Sequence, residues 1–113
     1  MKLTSTLHDS FVLLKIEGSL SSESKHEFEK YINQLIPQKK LHLILDLSTV
    51  SFIDSIALGA ILKFYSLFKK NKHYMLLANI NKEIYDVFNL TGISKKIKIF
   101  DSVQNAIVFL QKK

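Results

Sequence analysis

An aspartate and a serine stand side by side at Asp54 and Ser55, where an apolar strand pattern changes to a helical one. A carboxylate at a helix start accepts hydrogen bonds from the first backbone N–H groups and interacts favourably with the positive helix end. A serine hydroxyl at the same place could instead carry a phosphate, because these N–H groups also bind anions. Helix capping and phosphorylation of Ser55 are therefore two alternatives for this pair.

Side chains that usually carry out catalysis or bind metals are scarce or scattered. The chain has no cysteine, which excludes disulfides, thiolate zinc sites and cysteine nucleophiles. It has no Gly-x-Ser-x-Gly elbow and no glycine-rich phosphate loop. Its histidines fall in different predicted elements, without an i, i+4 pair on one helix: His8, His26, His42 and His73. We therefore predict no enzyme activity, no metal site and no cofactor, and we interpret His42 as a hydrogen-bonded core residue.

The segment around Asp54 has the pattern of a buried strand followed by a helix. Residues 41–47 are nearly all apolar, as expected for a central strand of a parallel sheet. We interpret residues 48–51 as a short polar loop and residues 55–71 as the helix. One side of the helical wheel is polar and basic, with Ser55, Gly59, Lys63, Ser66 and Lys70. The opposite side should meet the sheet, with Ala57, Ile61, Phe64 and Phe68.

Four apolar residues flank the polar side of this helix. Ile56 and Leu67 lie on one edge, and Leu58 and Leu62 lie on the other. They are either the shoulders of the core stripe or the apolar anchors of a protein interface.

The first part of the chain predicts a hairpin and a helix. Residues 3–8 and 11–17 have strand patterns separated by a turn. A helix then starts at a capping box from Ser24 to Glu27, or at an earlier cap at Ser21 or Ser22, and stops at Pro37.

The second part of the chain continues the alternation of strands and helices. Strands are predicted at residues 74–78 and 96–100, with helices capped by Asn81 and by Asp101 or Ser102. From residue 11 onward the order is β-α-β-α-β-α-β-α, which indicates a parallel sheet. We predict an α/β fold with a mostly parallel sheet, an N-terminal antiparallel hairpin strand and about four helices. With 113 residues, of which 47% are hydrophobic, a single domain over residues 1–113 is expected.

The formal charge of +6 comes from sixteen lysines and no arginine. The lysines are spread near predicted element ends, which favours a solvated surface over a site for an acidic partner. Nucleic-acid binding proteins generally use arginine for bidentate contacts, so this composition argues against a nucleic-acid partner. The N-terminus lacks the apolar core of a signal peptide, and no run approaches the ~20 apolar residues of a membrane span. We expect a cytoplasmic protein without membrane insertion.

Residues 46–62 resemble the signature of the STAS domain, the fold of bacterial anti-sigma factor antagonists. In that family the motif usually reads Asp-Ser-Ser-Gly-Leu-Gly, and its second serine is phosphorylated by an anti-sigma factor that is also a protein kinase. Here the motif reads Asp-Ser-Ile-Ala-Leu-Gly from Asp54 to Gly59, so Ile56 occupies the acceptor position. The resemblance covers nearly the whole chain, from Gly18-Ser19-Leu20 to the closing helix.

The resemblance implies a partner-switching regulator of transcription. Such a protein would bind an anti-sigma factor/serine kinase-type ATPase and release the sigma factor. The family often has an acidic residue after Gly-x-Leu, where this chain has Ser21. The implied partner-binding residues lie in the turn after residue 18, the loop before the motif and the first turns of the following helix: Ser19, Ser21, Thr49, Ser51, Asp54, Ser55, Ile56, Gly59, Leu62, Lys63 and Ser66.

The isoleucine at the acceptor position leaves two versions of this regulator. Either phosphorylation moves to Ser55, or the protein binds its partner constitutively. We favour the second version, because Ile56 adds apolar contact area where a phosphate would repel the partner. An alternative within the same family is a non-switching STAS subunit that packs against an ABC transporter ATPase or belongs to a larger signalling assembly.

Overall fold

The computed structural model describes residues 1–36 and 40–112 and has an α/β architecture around one five-stranded sheet. Its elements are β1 (Lys2–Leu7), β2 (Phe11–Leu20), α1 (Lys25–Leu35), β3 (His42–Ile53), α2 (Ser55–Lys70), β4 (Met75–Ala78), α3 (Lys82–Leu90), a 3₁₀ helix (Ile93–Lys95), β5 (Ile99–Phe100) and α4 (Val103–Gln111). The strands lie in the order β1-β2-β3-β4-β5, so the sheet order follows the chain order. β1 is antiparallel to β2, and the other pairs are parallel. The predicted fold class is confirmed.

Helices cover both faces of the sheet. α1, α2 and α3 bury their apolar sides against one face, where Phe64 of α2 is 1% exposed. α4 covers the other face through residues such as Leu110. Successive strand residues point to opposite faces, so Leu43 and Leu45 join the first core and Ile44 between them joins the second. This explains why the central strand is apolar at nearly every position.

β3 extends to Ile53, so the prediction of a loop over residues 48–51 is wrong. The strand pairs with β2 along this length, but the register shifts twice. One shift inserts an extra β3 residue between Asp46 and Thr49, and the other leaves Ser51 without a partner across the pair. Such bulges bend a strand and redirect its side chains without ending the pairing.

Polar side chains support the first of these bulges. Asp46 Oδ1 accepts a hydrogen bond from the backbone N–H of Ser48 at 3.0 Å. The hydroxyl of Thr49 donates to the carbonyl of Ile16 on β2, also at 3.0 Å. Hydrogen bonds of polar side chains therefore stabilise this part of β3. Because residues 48–51 are mostly polar, their sequence has the pattern of a loop.

The predicted helix starts are confirmed for α3 and α4. Asn81 Oδ1 accepts from the N–H of Ile84, and Ser102 Oγ accepts from the N–H of Asn105. The predicted strand over residues 96–100 is shorter, because the 3₁₀ helix precedes it and β5 pairs with β4 at two positions. The apolar residues of α1 pack into the core, and the helix ends at Leu35. The predicted stop at Pro37 lies outside the described residues.

His42 lies half-buried at the start of β3, so the predicted hydrogen bond is confirmed but the residue is at the margin of the core and not inside it. Its Nδ1 accepts from the backbone N–H of Tyr74 at 2.8 Å. The ring of His73 lies 5.0 Å away, measured between ring centroids. Burial in the first place, and the neighbouring His73 in the second, lower the pKa of His42 from its ordinary value of 6.5.

The free energy of unfolding is expected to fall as the pH drops below 6.5. In this range the unfolded chain protonates His42 before the folded protein does, because the pKa of His42 is lower in the folded state. The free energy of unfolding continues to fall until the pH is below the lowered pKa of the folded state. Above pH 6.5 the contribution of His42 to this free energy is constant. Urea denaturation at a series of pH values should show a smaller acid loss for His42→Gln than for the wild type. His26→Gln, at an exposed position of α1, should retain the wild-type dependence, and identical profiles for wild type and His42→Gln would contradict the prediction.

Candidate partner-binding site

Asp54 connects the ends of β2 and β3 to the start of α2. Its Oδ1 accepts from the backbone N–H of Ala57 at 2.9 Å, which confirms the predicted helix cap. Its Oδ2 accepts from the N–H of Ser22 at 2.8 Å, and its own N–H donates to the carbonyl of Leu20 at 3.3 Å. The bond from Ala57, followed by that from Ser22, lowers the pKa of the Asp54 carboxyl below its ordinary value. The carboxylate is thus held in its charged form between two segments.

Serines hold the turn that follows β2. The hydroxyl of Ser24 accepts from the N–H of Ser21 at 2.9 Å and donates to the carbonyl of Ser19 at 3.0 Å. The hydroxyl of Ser21 accepts from the N–H of Glu23 at 3.3 Å. In the described part of the chain, Ser24 makes no side-chain bond to the first turn of α1, so the predicted capping box is wrong. The serine hydroxyl serves the turn instead.

Replacing Asp54 with alanine is expected to loosen the start of α2 and the turn after β2 together, because Ala57 and Ser22 lose their shared acceptor. Amide hydrogen exchange followed by NMR should become faster at both residues. Ser51→Ala, at an exposed position of β3, should leave both rates unchanged. An unaltered rate at Ser22 in the Asp54 variant would show that this bond does not hold the turn.

Two large apolar side chains are exposed close to Asp54 in the sequence. Ile56 in the first turn of α2 is 50% exposed, and Phe52 near the end of β3 is 53% exposed. The adjacent Ser55 is exposed as well. Protein interfaces typically combine exposed apolar side chains with polar groups around them, such as these hydroxyl and carboxylate groups.

Phe52 is absent from the sequence-based set of binding residues. Strict alternation along β3 would place it on the core face with Val50, which is 2% exposed. The extra residue at Ser51 shifts the alternation, so Ser51 and Phe52 are both exposed and Ile53 returns to the core. The bulge arises from pairing with β2. The alternation of polar and apolar residues along β3 therefore does not predict the exposure of Phe52.

The two sides of α2 are confirmed. The residues predicted to face the sheet are buried: Ala57, Ile61, Phe64 and Phe68. The residues predicted on the outer side are exposed: Ser55, Gly59, Lys63, Ser66 and Lys70. At Gly59 a β carbon would meet no described atom within 4 Å, so this surface is open. Lys63 Nζ lies 3.8 Å from Glu29 Oε2, so the exposed Lys63 forms an ion pair with a partly buried glutamate of α1.

The flanking residues of α2 divide between the two interpretations. Leu58 is 5% exposed and belongs to the core, as the shoulder interpretation predicts. Leu62 and Leu67 are partly buried against that core. Ile56 is free to contact another molecule.

The predicted binding residues do not all lie in one place. β2 extends to Leu20, so Ser19 lies in the strand and not in the predicted turn. Ser21 lies in the turn that Asp54 holds through Ser22, next to the start of α2. The hydroxyl of Thr49 is engaged by β2, further back in the sheet. The other predicted residues lie at the end of β3 or along α2: Ser51, Asp54, Ser55, Ile56, Gly59, Leu62, Lys63 and Ser66. Their role in partner binding stays a prediction.

Metal-ligand clusters and membrane-spanning helices are both absent from the described residues. Among residues 1–36 and 40–112, no three histidine or acidic side chains are grouped so as to hold a metal ion. Over the same residues, no helix has both the length and the apolar character needed to cross a bilayer.

Comparison with known proteins identifies the family. The STAS domain family matches residues 2–106. This chain belongs to the STAS domain family. This chain is similar to the anti-sigma F factor antagonist of Paenibacillus polymyxa, with 24% identity over 105 residues. The alignment covers 92% of this chain and 90% of that protein.

Two further proteins are similar to this chain over most of its length. A Thermotoga maritima protein, provisionally named an anti-sigma factor antagonist, has a crystal structure with a TM-score of 0.88 and 26% identity, covering 96% of this chain and 94% of that one. Mouse solute carrier family 26 member 9 is 29% identical over an alignment of 109 positions, which covers 91% of this chain and 14% of the carrier. The predicted STAS resemblance is confirmed.

Proposed function

We propose that residues 1–113 are one STAS domain that acts as an anti-sigma factor antagonist-like regulator. The domain binds an anti-sigma factor/serine kinase-type ATPase and is not itself an enzyme. The observation that carries this proposal is the first turn of α2, where the half-exposed Ile56 and the exposed Ser55 follow a fixed Asp54. The similarity to the P. polymyxa antagonist supports the class of partner.

The proposed complex lacks a phosphoserine switch at the family's usual position. Ile56 has no hydroxyl, and its apolar side chain adds contact area where a phosphate would bring about two negative charges. Ser55 is a poor substitute acceptor, because the carboxylate of Asp54 already uses the N–H of Ala57. A phosphate on Ser55 would compete for the same donors and would meet a like charge next to it. The protein therefore binds its partner constitutively.

Recovery of the tagged protein from its native cells at moderate salt tests this proposal. Mass spectrometry would identify the co-purified proteins and the state of Ser55. A kinase-like ATPase together with unmodified Ser55 would support the proposal. Phosphate on Ser55 would contradict constitutive binding and would show that the phosphorylation site is Ser55 and not position 56. Transporter components without such an ATPase would favour the non-switching STAS subunit.

A further inference from the structure

A groove lined by lysines lies between the C-terminal half of α2 and residues 94–98, which follow α3. It consists of three depressions that all include Tyr65, with cavity volumes of about 290, 310 and 530 Å³. We call it the lysine groove. The depressions adjoin through Tyr65 and form a concave track.

Five lysines line the lysine groove. Lys69 and Lys72 come from the end of α2 and the turn after it, and Lys95, Lys96 and Lys98 come from the segment before β5. All five residues are exposed, and the lining contains no aspartate or glutamate. Among residues 1–36 and 40–112, no carboxylate is within ion-pair distance of these five lysines. The fold thus concentrates charge that is spread along the sequence.

The floor of the groove is aromatic and aliphatic. Tyr65 is partly buried, and the Nζ of Lys69 lies 5.9 Å from the centre of its ring. Tyr74 lines two of the depressions, and Leu62 lines the third. A cationic rim around such a floor complements a chain whose acidic side chains alternate with apolar ones.

We propose that the lysine groove docks an acidic polypeptide segment of a partner protein in an extended conformation. Alternate side chains of an extended chain point in opposite directions, so apolar ones can reach the floor around Tyr65 while acidic ones contact the lysines. A bilayer surface is flat and does not fill a concave track. Nucleic acids favour the bidentate contacts of arginine, which this chain lacks.

The lysine groove also includes Leu62 and Ser66 and is therefore continuous with the outer side of α2. The inference does not depend on the proposed function, because it requires neither Ile56 nor an ATPase. The two can fail separately, since variants of the groove leave the start of α2 unchanged.

Fluorescence anisotropy with the full chain tests the proposal. The probe is a short fluorescein-labelled peptide in which glutamates alternate with leucine and tyrosine. The double variant Lys95→Glu/Lys96→Glu should lower its affinity by about tenfold or more, because two positive charges at the rim become negative and repel the acidic peptide. Lys30→Glu/Lys112→Glu is the matched control, with the same change of net charge from +6 to +2, since each substitution removes two units. Both control positions are exposed and outside the groove lining.

A second variant tests the floor without changing the charge. Tyr65→Ala should weaken binding of the same peptide by several-fold, with folding checked by circular dichroism. No binding of the peptide to the wild type, or equal losses in the groove and control variants, would overturn the proposal. Tighter binding of phosphatidylserine vesicles or of a single-stranded RNA, abolished by the same groove variant, would also overturn it and assign the groove to that class of ligand.

Discussion

Replacing Ile56 with aspartate is expected to weaken the complex with the ATPase partner by about thirtyfold or more, or ~2 kcal/mol. Ile56 is 50% exposed in the first turn of α2, next to Asp54. The substitution removes apolar contact area and places a second carboxylate beside the first, as a phosphate at this position would. Isothermal titration calorimetry with the ATPase recovered from native cells would measure the effect.

Two matched variants test whether the loss of affinity is specific to a carboxylate at position 56. Leu7→Asp introduces the same charge at another exposed apolar residue, 70% exposed on β1, and should leave the affinity unchanged. Ile56→Leu keeps an apolar side chain and should retain most of the binding. An Ile56→Asp variant that binds as well as the wild type would show that the interface lies elsewhere.

Replacing Phe64 with alanine is expected to reduce the free energy of unfolding by about 3–5 kcal/mol. Phe64 is 1% exposed and packs edge-to-face against Phe28 of α1, with ring centroids 5.9 Å apart. The substitution would leave a cavity between α1, α2 and the sheet. These elements cannot move close enough together to fill it completely. Because small domains are stable by about 5–15 kcal/mol in total, this variant should be close to unfolding at moderate temperature.

Urea denaturation followed by circular dichroism measures this loss. Lys63→Ala, one residue away on the exposed side of the same helix, should change stability by less than about 1 kcal/mol. Phe28→Ala combined with Phe64→Ala should cost less than the sum of the single variants, because the two rings contact each other. A loss in Phe64→Ala as small as that in Lys63→Ala would contradict the packing described for α2.

Most of the architecture could be predicted from the sequence, because it depends on local periodicity. The apolar and polar sides of α2 follow from the 3.6-residue repeat, and the caps of α3 and α4 follow from Asn81 and Ser102. The end of β3 could not be predicted in this way. Its polar residues pair with β2 through bulges, and that pairing joins positions about thirty residues apart.

The candidate site could be predicted only in part, because some of its contacts are local and others join distant segments. Asp54 as a helix cap is a local feature, whereas its bond to Ser22 joins two segments that are distant in the chain. The exposure of Phe52 depends on the bulge at Ser51. The lysine groove likewise combines α2 and the turn after it with residues 94–98, which are distant in the chain. Contacts of this kind become visible when the fold is known.

The agreement between sheet order and chain order has a consequence for synthesis on the ribosome. Each strand from β2 onward emerges when its neighbour on one side has already been made, so the sheet can grow by one strand at a time. The face beneath α4 is the exception, because Ile44 and Leu76 stay uncovered until that helix emerges. The nascent chain therefore exposes an apolar sheet surface late in its synthesis, and ribosome-bound chains that stop before α4 should be the ones that chaperones retain.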